Sequence, residues 1–226
     1  MGFNIAIDGP AGAGKSTIAR KIAAELSFIY VDTGAMYRAI AYGLIRQGIG
    51  AEEQDKIAAA CESIDVKIAY QDGGQIVLLN GENVNPFIRT EEVSRMTSAI
   101  SVYPVVRAKL LELQRTLAAE NDVLMDGRDI GTCILPNAEL KVYLTASSKV
   151  RAKRRYLEYV EKGQEANLEE IEQDIIERDY RDMHREVAPL KQAEDAVVVD
   201  SSDMTIEEVV ACVVALTKER MGVSEA

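Results

Sequence analysis

Residues 9–16 read Gly-Pro-Ala-Gly-Ala-Gly-Lys-Ser, and this segment constrains the fold more than any other part of the chain. It matches G-x-x-x-x-G-K-[ST], the pattern of a loop whose backbone N–H groups surround the phosphates of a nucleotide. In such a loop Lys15 reaches the β- and γ-phosphates, and the Ser16 hydroxyl is placed to ligate Mg²⁺. The nucleotide-binding candidates are Gly9, Pro10, Ala11, Gly12, Ala13, Gly14, Lys15, Ser16 and Thr17.

The sequence on both sides of this loop has the strand and the helix that the motif requires. Residues 3–8 form a short apolar run, and Ile18, Ile22 and Leu26 then recur at intervals of four, which is typical of one face of a helix. Further apolar strands at 28–31, 123–125, 140–144 and 197–199 alternate with helical patterns. Five such alternations predict an α/β fold with a five-stranded parallel sheet and helices on both faces.

Two segments interrupt this alternation. Residues 65–70, 75–79 and 82–84 read as short strands joined by turns at 72–74 and at Asn80-Gly81, which predicts a small antiparallel sheet. We expect an insert at about 62–101 within a single domain whose core is 1–61 and 102–226. A short polar segment between two helices, about 151–168, is predicted to form a lid.

Composition restricts the partners of the protein. The formal net charge is −11 and the sequence pI is about 4.8, which argues against general binding to nucleic acid or to anionic membranes. The three cysteines form no C-x-x-C pair, and His184 is the only histidine, which excludes a histidine-rich metal site. With no visible signal peptide or membrane span, we expect a cytoplasmic protein with reduced thiols.

Polar residues at the ends of the predicted strands are candidate ligand contacts, because α/β proteins place their ligands there. Asp32, Thr33, Tyr37 and Arg38 follow the second strand. Asp126 ends the third and has the place of a carboxylate that orients Mg²⁺ or its waters.

Basic residues are concentrated late in the chain. Five of the seven residues 149–155 are basic, and Arg178, Arg181, Asp182 and Arg185 share one face of a predicted helix. In so acidic a chain these clusters indicate an anionic ligand. A solvated helix face, or compensation by Asp174 and Glu177, remains the alternative.

Four motifs resemble the bacterial cytidylate kinase family. They are the loop at 9–16, Asp-Thr-Gly-Ala-Met-Tyr-Arg at 32–38, Asp-Gly-Arg-Asp-Ile-Gly-Thr at 126–132, and Glu-Arg-Asp at 177–179 followed by Arg-Glu-Val-Ala-Pro-Leu at 185–190. The resemblance covers nearly the whole chain. It implies a P-loop nucleoside monophosphate kinase core, a monomer, and a Mg²⁺-dependent transfer of the ATP γ-phosphoryl group to CMP or dCMP.

The resemblance also implies roles for individual residues. Ser98, Arg107 and Asp129 match residues that read the cytosine. The residues matching the surroundings of the acceptor phosphate are Thr33, Arg38, Arg128 and Arg185, and those near the sugar are Arg178 and Asp182. Thr33 replaces the serine of some relatives and keeps the hydroxyl. Cytosine offers an amino donor and ring acceptors, so a carboxylate beside hydroxyl and guanidinium donors suits it.

We therefore predict that Lys15 and Mg²⁺ hold the ATP end, with the metal at Ser16 and at Asp32 or Asp126 through water. Arg151 or Arg155 is expected to cover the transferring group, and the predicted catalytic residues are Lys15, Asp126, Arg128, Arg151 and Arg155. Two alternatives remain at this point: a P-loop kinase for another small acceptor such as UMP, AMP or shikimate, and a nucleotide-driven regulatory ATPase.

Overall fold

The computed structural model describes residues 2–71 and 74–223, so Asp72 and Gly73 of the predicted turn at 72–74 lie outside the described residues. The strands within these ranges are β1 (Asn4–Asp8), β2 (Ile29–Asp32), β3 (Val66–Gln71), β4 (Gly74–Leu79), β5 (Glu82–Asn83), β6 (Val123–Gly127), β7 (Leu140–Thr145) and β8 (Val197–Asp200). The helices are α1 (Lys15–Leu26), α2 (Thr33–Arg46), α3 (Gln54–Ser63), α4 (Glu91–Ile100), α5 (Pro104–Glu120), α6 (Ser148–Glu161), α7 (Leu168–His184) and α8 (Ile206–Arg220). A π-helical turn, Ile130–Ile134, follows β6.

The main sheet has five strands in the order β2-β6-β1-β7-β8. Strand β1 pairs in parallel with β6 and β7, and β7 pairs in parallel with β8. The predicted five-stranded parallel sheet is confirmed. Because β1 lies between β6 and β7, every residue of β1 is buried. In parallel strands the carboxyl ends meet at one edge, so Ile7 faces Asp126 in register and Asp8 faces Gly127.

The chain divides into two compact units. Of the described residues, those in 2–30 and 121–223 form one, which we call the P-loop unit, and those in 31–71 and 74–120 form the other, the central unit. Strand β2 begins in the P-loop unit and ends in the central unit. The core of the P-loop unit packs β1 and β7 against α1 and α8, with Ile5, Ile22, Val142 and Val213 among its buried side chains.

The central unit contains the small antiparallel sheet that the sequence predicted. Strands β3 and β4 pair antiparallel, as do β4 and β5. Asn80 and Gly81 connect β4 to β5 with φ of 50° and 84°, which are the positive values that a type I′ hairpin turn requires at both central residues. The limits of the predicted insert, 62–101, and of the predicted lid, 151–168, remain predictions.

Local signals set most helix starts. Thr205 and Glu208 form a reciprocal capping box at the start of α8, and the Asn167 side chain caps α7 by accepting from the backbone N–H groups of Glu169 and Glu170. Helix α3 and the π-helical turn were not predicted. Among the described residues no helix combines the length and apolar character needed to cross a membrane.

Candidate active site

The loop at 9–14 joins the end of β1 to the start of α1 in the P-loop unit. Gly9 has φ of 152°, and a Cβ atom there would lie 1.9 Å from the Leu144 carbonyl oxygen of β7. A glycine is therefore required where the loop leaves the sheet. Gly14 precedes α1 with φ of 84° and offers no side chain to cap it. A helix N-terminus without a side-chain cap presents its amide groups and positive dipole end to an anion.

Lys15 lies inside this loop rather than in solvent. Its ammonium group donates to the Pro10 carbonyl oxygen at 2.7 Å, and the residue is 5% exposed. Burial, and then the neighbouring Arg128, lower the pKa of Lys15 well below its ordinary value, while Asp126 and Asp8 act in the opposite direction. An arriving phosphate would supply the missing negative charge.

Two of the three residues predicted to hold Mg²⁺, Ser16 and Asp126, meet at the end of β6. The Ser16 hydroxyl donates to one carboxylate oxygen of Asp126 at 2.8 Å, and the Tyr30 hydroxyl donates to the other at 2.8 Å. Magnesium ordinarily takes one or two protein oxygens and completes its shell with water and phosphate, so this pair fits it. Within the described residues no group of three or more His, Cys, Asp or Glu side chains could hold a metal alone.

Asp8 also belongs to this site, and the sequence analysis missed it. Its carboxylate accepts the N–H of Ile130 at 2.8 Å and that of Gly131 at 2.7 Å, and so holds the π-helical turn against the end of β1. Burial is the main reason that the pKa of Asp8 rises to about 6. The nearby Asp129 raises it further, whereas the two N–H bonds and Lys15 lower it.

Two predicted acceptor arginines of the P-loop unit are paired with carboxylates. Arg128 donates to Asp182 of α7 at 2.9 Å, and Arg185 contacts Asp129 at 3.3 Å. Burial alone would raise the pKa of Asp182, but the charges of Arg128, Arg178 and Arg185 hold it below its ordinary value. The geometry thus brings together all five predicted acceptor residues of this unit.

Arg151 and Arg155 have different surroundings on α6. Arg151 is buried: it donates to the carbonyl oxygens of Ala11 at 2.8 Å and Ala146 at 2.9 Å, and it forms an ion pair with Asp179 of α7 at 2.6 Å. Arg155 is half-buried and contacts Tyr159 one turn further on. Asp179 is a second residue that the sequence analysis missed, because nothing in the sequence pairs it with a residue 28 positions away.

In the central unit, the Asp32 carboxylate forms ion pairs with two arginines. Its carboxylate caps α2 through the Ala35 N–H at 2.7 Å and accepts from Arg38 at 3.0 Å and from Arg89 at 3.1 Å. Arg89, in the connection before α4, was not predicted. A Cβ at Gly34 would lie 3.1 Å from the guanidinium of Arg38, so Gly34 leaves room for that side chain.

The other predicted residues of the central unit lie on α2, α4 and α5. Thr33 and Tyr37 are buried on α2, and the Arg107 guanidinium lies 5.9 Å from the centre of the Tyr37 ring. Arg107 also contacts the Ser101 carbonyl oxygen at 3.4 Å, and Ser101 in turn bonds the carbonyl oxygen of Ser98 at 3.0 Å. Arg107 is therefore connected to the end of α4 that carries Ser98.

The parallel sheet, the phosphate-binding loop and the Ser16–Asp126 contact together define a P-loop kinase. The family model described as cytidylate kinase matches residues 5–219. The chain belongs to the cytidylate kinase family. It is 49% identical over 220 residues to the cytidylate kinase of Caldicellulosiruptor saccharolyticus, covering 97% of each chain.

A second relative is the cytidylate kinase of a Geobacillus species, which is 45% identical over 220 residues, 97% of this chain and 98% of the relative. Among solved structures, an uncharacterized protein from Eubacterium ventriosum superposes with a TM-score of 0.55 at 10% identity, covering 95% of this chain and 97% of that one. At such low identity the likeness concerns the fold alone.

Proposed function

We propose that the protein transfers the γ-phosphoryl group of ATP to CMP or dCMP, giving ADP and CDP or dCDP. The observation that carries this proposal is the proximity of two kinds of cation in the P-loop unit. Arg128 lies two residues beyond Asp126, whose carboxylate contacts Ser16, the residue next to Lys15, and the charge of Arg128 lowers the pKa of Lys15. Lys15 has the place of a donor-phosphate residue and Arg128 that of an acceptor-phosphate residue. Two cations gathered in this way suit two polyanions that must be brought together.

The ATP end is assigned to the loop and to α1. The amide groups of residues 9–17 and the Lys15 ammonium would bind the β- and γ-phosphates. Ser16 and Asp126 would hold Mg²⁺, which would neutralise phosphate charge when bound. Asp126 is preferred over Asp32, because Ser16 contacts Asp126 directly while the Asp32 carboxylate is bonded to two arginines.

The acceptor end is assigned residue by residue. We expect Arg128 and Arg185 in the P-loop unit, and Thr33, Arg38 and Arg89 in the central unit, to bind the acceptor phosphate. Each guanidinium is already held by a carboxylate, so little reorganisation is needed when the phosphate arrives. Arg178 and Asp182 are assigned to the sugar.

Base recognition is assigned to Asp129, Ser98 and Arg107. A carboxylate accepts from the amino group of cytosine, which uracil lacks, and hydroxyl or guanidinium groups donate to the ring acceptors. A site built to bond a particular substrate group discriminates strongly against an analogue without it. Tyr37 would support Arg107 through its ring.

No general base is required. The attacking atom is an oxygen of the acceptor's phosphate group. The second pKa of such a group is about 6, so the group is already largely ionised at neutral pH. The protein's contribution is therefore positioning and charge stabilisation. Of the two arginines on α6 that were predicted to cover the transferring group, Arg155 is better placed, because Arg151 is buried and bonded to three partners. The lid at 151–168 belongs to this proposal.

We further propose that the enzyme acts as a cytoplasmic monomer. Three free cysteines, Cys61, Cys133 and Cys212, suit a reducing compartment.

The test is a coupled assay of ADP formation with ATP–Mg²⁺ and each of CMP, dCMP, UMP, AMP and GMP, together with a control lacking any acceptor. Strong turnover with CMP and dCMP alone supports the proposal. Preference for another acceptor would retain the phosphoryl chemistry and reject the cytosine assignment. ADP formation independent of every acceptor would show an ATPase and reject the kinase proposal.

A further inference from the structure

Asp8 caps a turn that another aspartate would be expected to cap. Asp129 immediately precedes the π-helical turn Ile130–Ile134, the position at which aspartate side chains commonly accept the amide group of the second or third helical residue. Its side chain makes no capping bond to this turn. The amide groups of Ile130 and Gly131 are instead bonded by the two carboxylate oxygens of Asp8, on a different strand.

The consequence is a different orientation for Asp129. Its backbone has φ of −144° and ψ of 26°, and its carboxylate contacts Arg185 at 3.3 Å. Since Asp8 satisfies the start of the turn, the Asp129 carboxylate is directed elsewhere.

Asp8 and Lys141 both lie against the turn. A Cβ atom at Gly131 would lie in van der Waals contact with Oδ2 of Asp8, at 3.4 Å, and closer to Cδ of Lys141, at 3.1 Å. The start of the turn is therefore packed against both side chains. Asp8 itself is 5% exposed, so the bonds to Ile130 and Gly131 are not in competition with bulk water.

A carboxylate suits this task better than a neutral side chain. It has two acceptor oxygens and can take both amide groups at once, whereas an asparagine has a single acceptor and would turn an NH₂ group toward the other N–H. The carboxylate is nevertheless an unfavourable choice on electrostatic grounds, because burial and the adjacent Asp129 both disfavour its charge. Such an arrangement is typical of functional sites.

We propose that Asp8 is a positioning residue for cytosine recognition: by capping the turn at 130–134 in place of Asp129, it fixes the direction in which the Asp129 carboxylate points. This inference rests on the proposed function, in which Asp129 reads the base. Asp8 touches no substrate and acts through the turn.

The experiment compares wild type, Asp8→Asn, Asp129→Asn and the double variant, with kcat and KM measured for CMP and for UMP at saturating ATP–Mg²⁺. We expect Asp8→Asn to lower the CMP-to-UMP ratio of kcat/KM at least tenfold, while the KM for ATP changes less than threefold. In the Asp129→Asn background the same substitution should lower the ratio no further, because both residues act on one contact.

Asn4→Ala is the matched control. Asn4 is a buried polar residue at the other end of β1. Its replacement should lower stability in a urea titration and leave the base preference unchanged. If Asp8→Asn does not fold, Asp8→Glu takes its place. It keeps both acceptor oxygens on a side chain one methylene longer, so the two bonds to the turn can form only if the turn shifts, and it should lower the CMP-to-UMP ratio in the same direction.

Each outcome decides between the claims. A wild-type enzyme that does not phosphorylate CMP rejects the proposed function and this inference with it. An unchanged base preference in Asp129→Asn rejects the assignment of Asp129 to the base, and with it this inference, but leaves the transfer to CMP standing. An active wild type whose preference depends on Asp129 but not on Asp8 rejects the inference alone. Equal losses from Asp8→Asn in both backgrounds would also overturn it, because Asp8 would then act independently of Asp129.

Discussion

The P-loop unit and the central unit hold their candidate phosphate-binding arginines in different ways. In the P-loop unit three separate pairs occur, Arg128–Asp182, Arg151–Asp179 and Arg185–Asp129. In the central unit Asp32 alone serves both Arg38 and Arg89, and the Arg89 side chain is 59% exposed. Two cations on one anion leave a local positive charge, whereas each separate pair is neutral. The separate pairs of the P-loop unit favour rigidity, and the shared carboxylate of the central unit favours capture of an anion.

The largest effect is expected from removing the loop lysine. Lys15→Met should lower kcat by roughly 100- to 1,000-fold, the range for losing one donor that stabilises charge in the transition state. Stability should be unchanged or higher, because burial lowers the pKa of Lys15 and the folded protein therefore disfavours its charge. Steady-state kinetics and urea unfolding measure the two effects.

Lys21→Met is the control for this substitution, since Lys21 lies on the same helix with its side chain 51% exposed. It should behave as wild type in both measurements. Near-normal turnover of Lys15→Met would contradict the role assigned to this residue.

Breaking a neutral pair should cost stability. Arg151→Met leaves Asp179 buried without its cation, and loss of one partner of a buried pair typically costs about 3–5 kcal/mol. Urea unfolding followed by circular dichroism measures the change. The exposed Lys153 on the same helix provides the control Lys153→Met, expected to be near neutral. If Arg151→Met were as stable as wild type, the pair would not contribute to the rigidity of this unit.

The contrast between Asp8 and Asp182 should be visible in the pH dependence of stability. The pKa of Asp8 in the folded protein is raised from 3.8 to about 6. Its contribution to the free energy of unfolding is therefore fully present below pH 3.8, where the carboxyl is protonated, and is lost as pH rises through 6. This pKa difference corresponds to a change of roughly 3 kcal/mol in the free energy of unfolding, at about 1.36 kcal/mol for each pKa unit. Asp182, whose pKa is lowered, has the opposite sign and loses its contribution as pH falls.

Urea unfolding of wild type and Asp8→Asn between pH 4.5 and 7.5 isolates the Asp8 effect. The free energy of unfolding of wild type relative to the variant should decrease as pH rises across this range. A difference independent of pH would show that the carboxylate of Asp8 does not titrate there.

The smallest effect is expected from the exposed arginine of the central unit. Arg89→Met should raise the KM for CMP about tenfold, which is about 1.4 kcal/mol, through loss of a phosphate contact. Its stability should change by less than about 1 kcal/mol, because exposed ion pairs contribute little. Arg95→Met, at a side chain 75% exposed on α4, is the control. An unchanged KM would remove Arg89 from the acceptor site.

The predictions from sequence succeeded where the signal was local. The glycine pattern at 9–16 identified the loop, and Asn80-Gly81 identified a hairpin turn whose two positive φ values only a few residue types tolerate. The apolar strand at 123–125 placed Asp126 at a strand end, and the structure puts it within 2.8 Å of Ser16.

The residues that were missed act over long separations in sequence. Asp8 bonds residues more than 120 positions away, and Arg89 bonds Asp32 across 57 positions. Arg151, a member of a basic run, was predicted as one of two arginines that could cover the transferring group, and the structure buries it against the loop carbonyl of Ala11. A run of basic residues in a sequence does not reveal which of them will face the interior.

The sequence by itself determined the alternation of core strands and helices, the phosphate-binding loop, the hairpin and the family. These follow from periodicity and from the backbone preferences of glycine, asparagine and proline, which act within a few residues. Only the tertiary structure decided which carboxylate holds which arginine, and that Asp8 rather than Asp129 caps the turn at 130–134. Those choices depend on burial and on partners brought together by the sheet, because charge in a low-dielectric interior is stable only beside a group that compensates it.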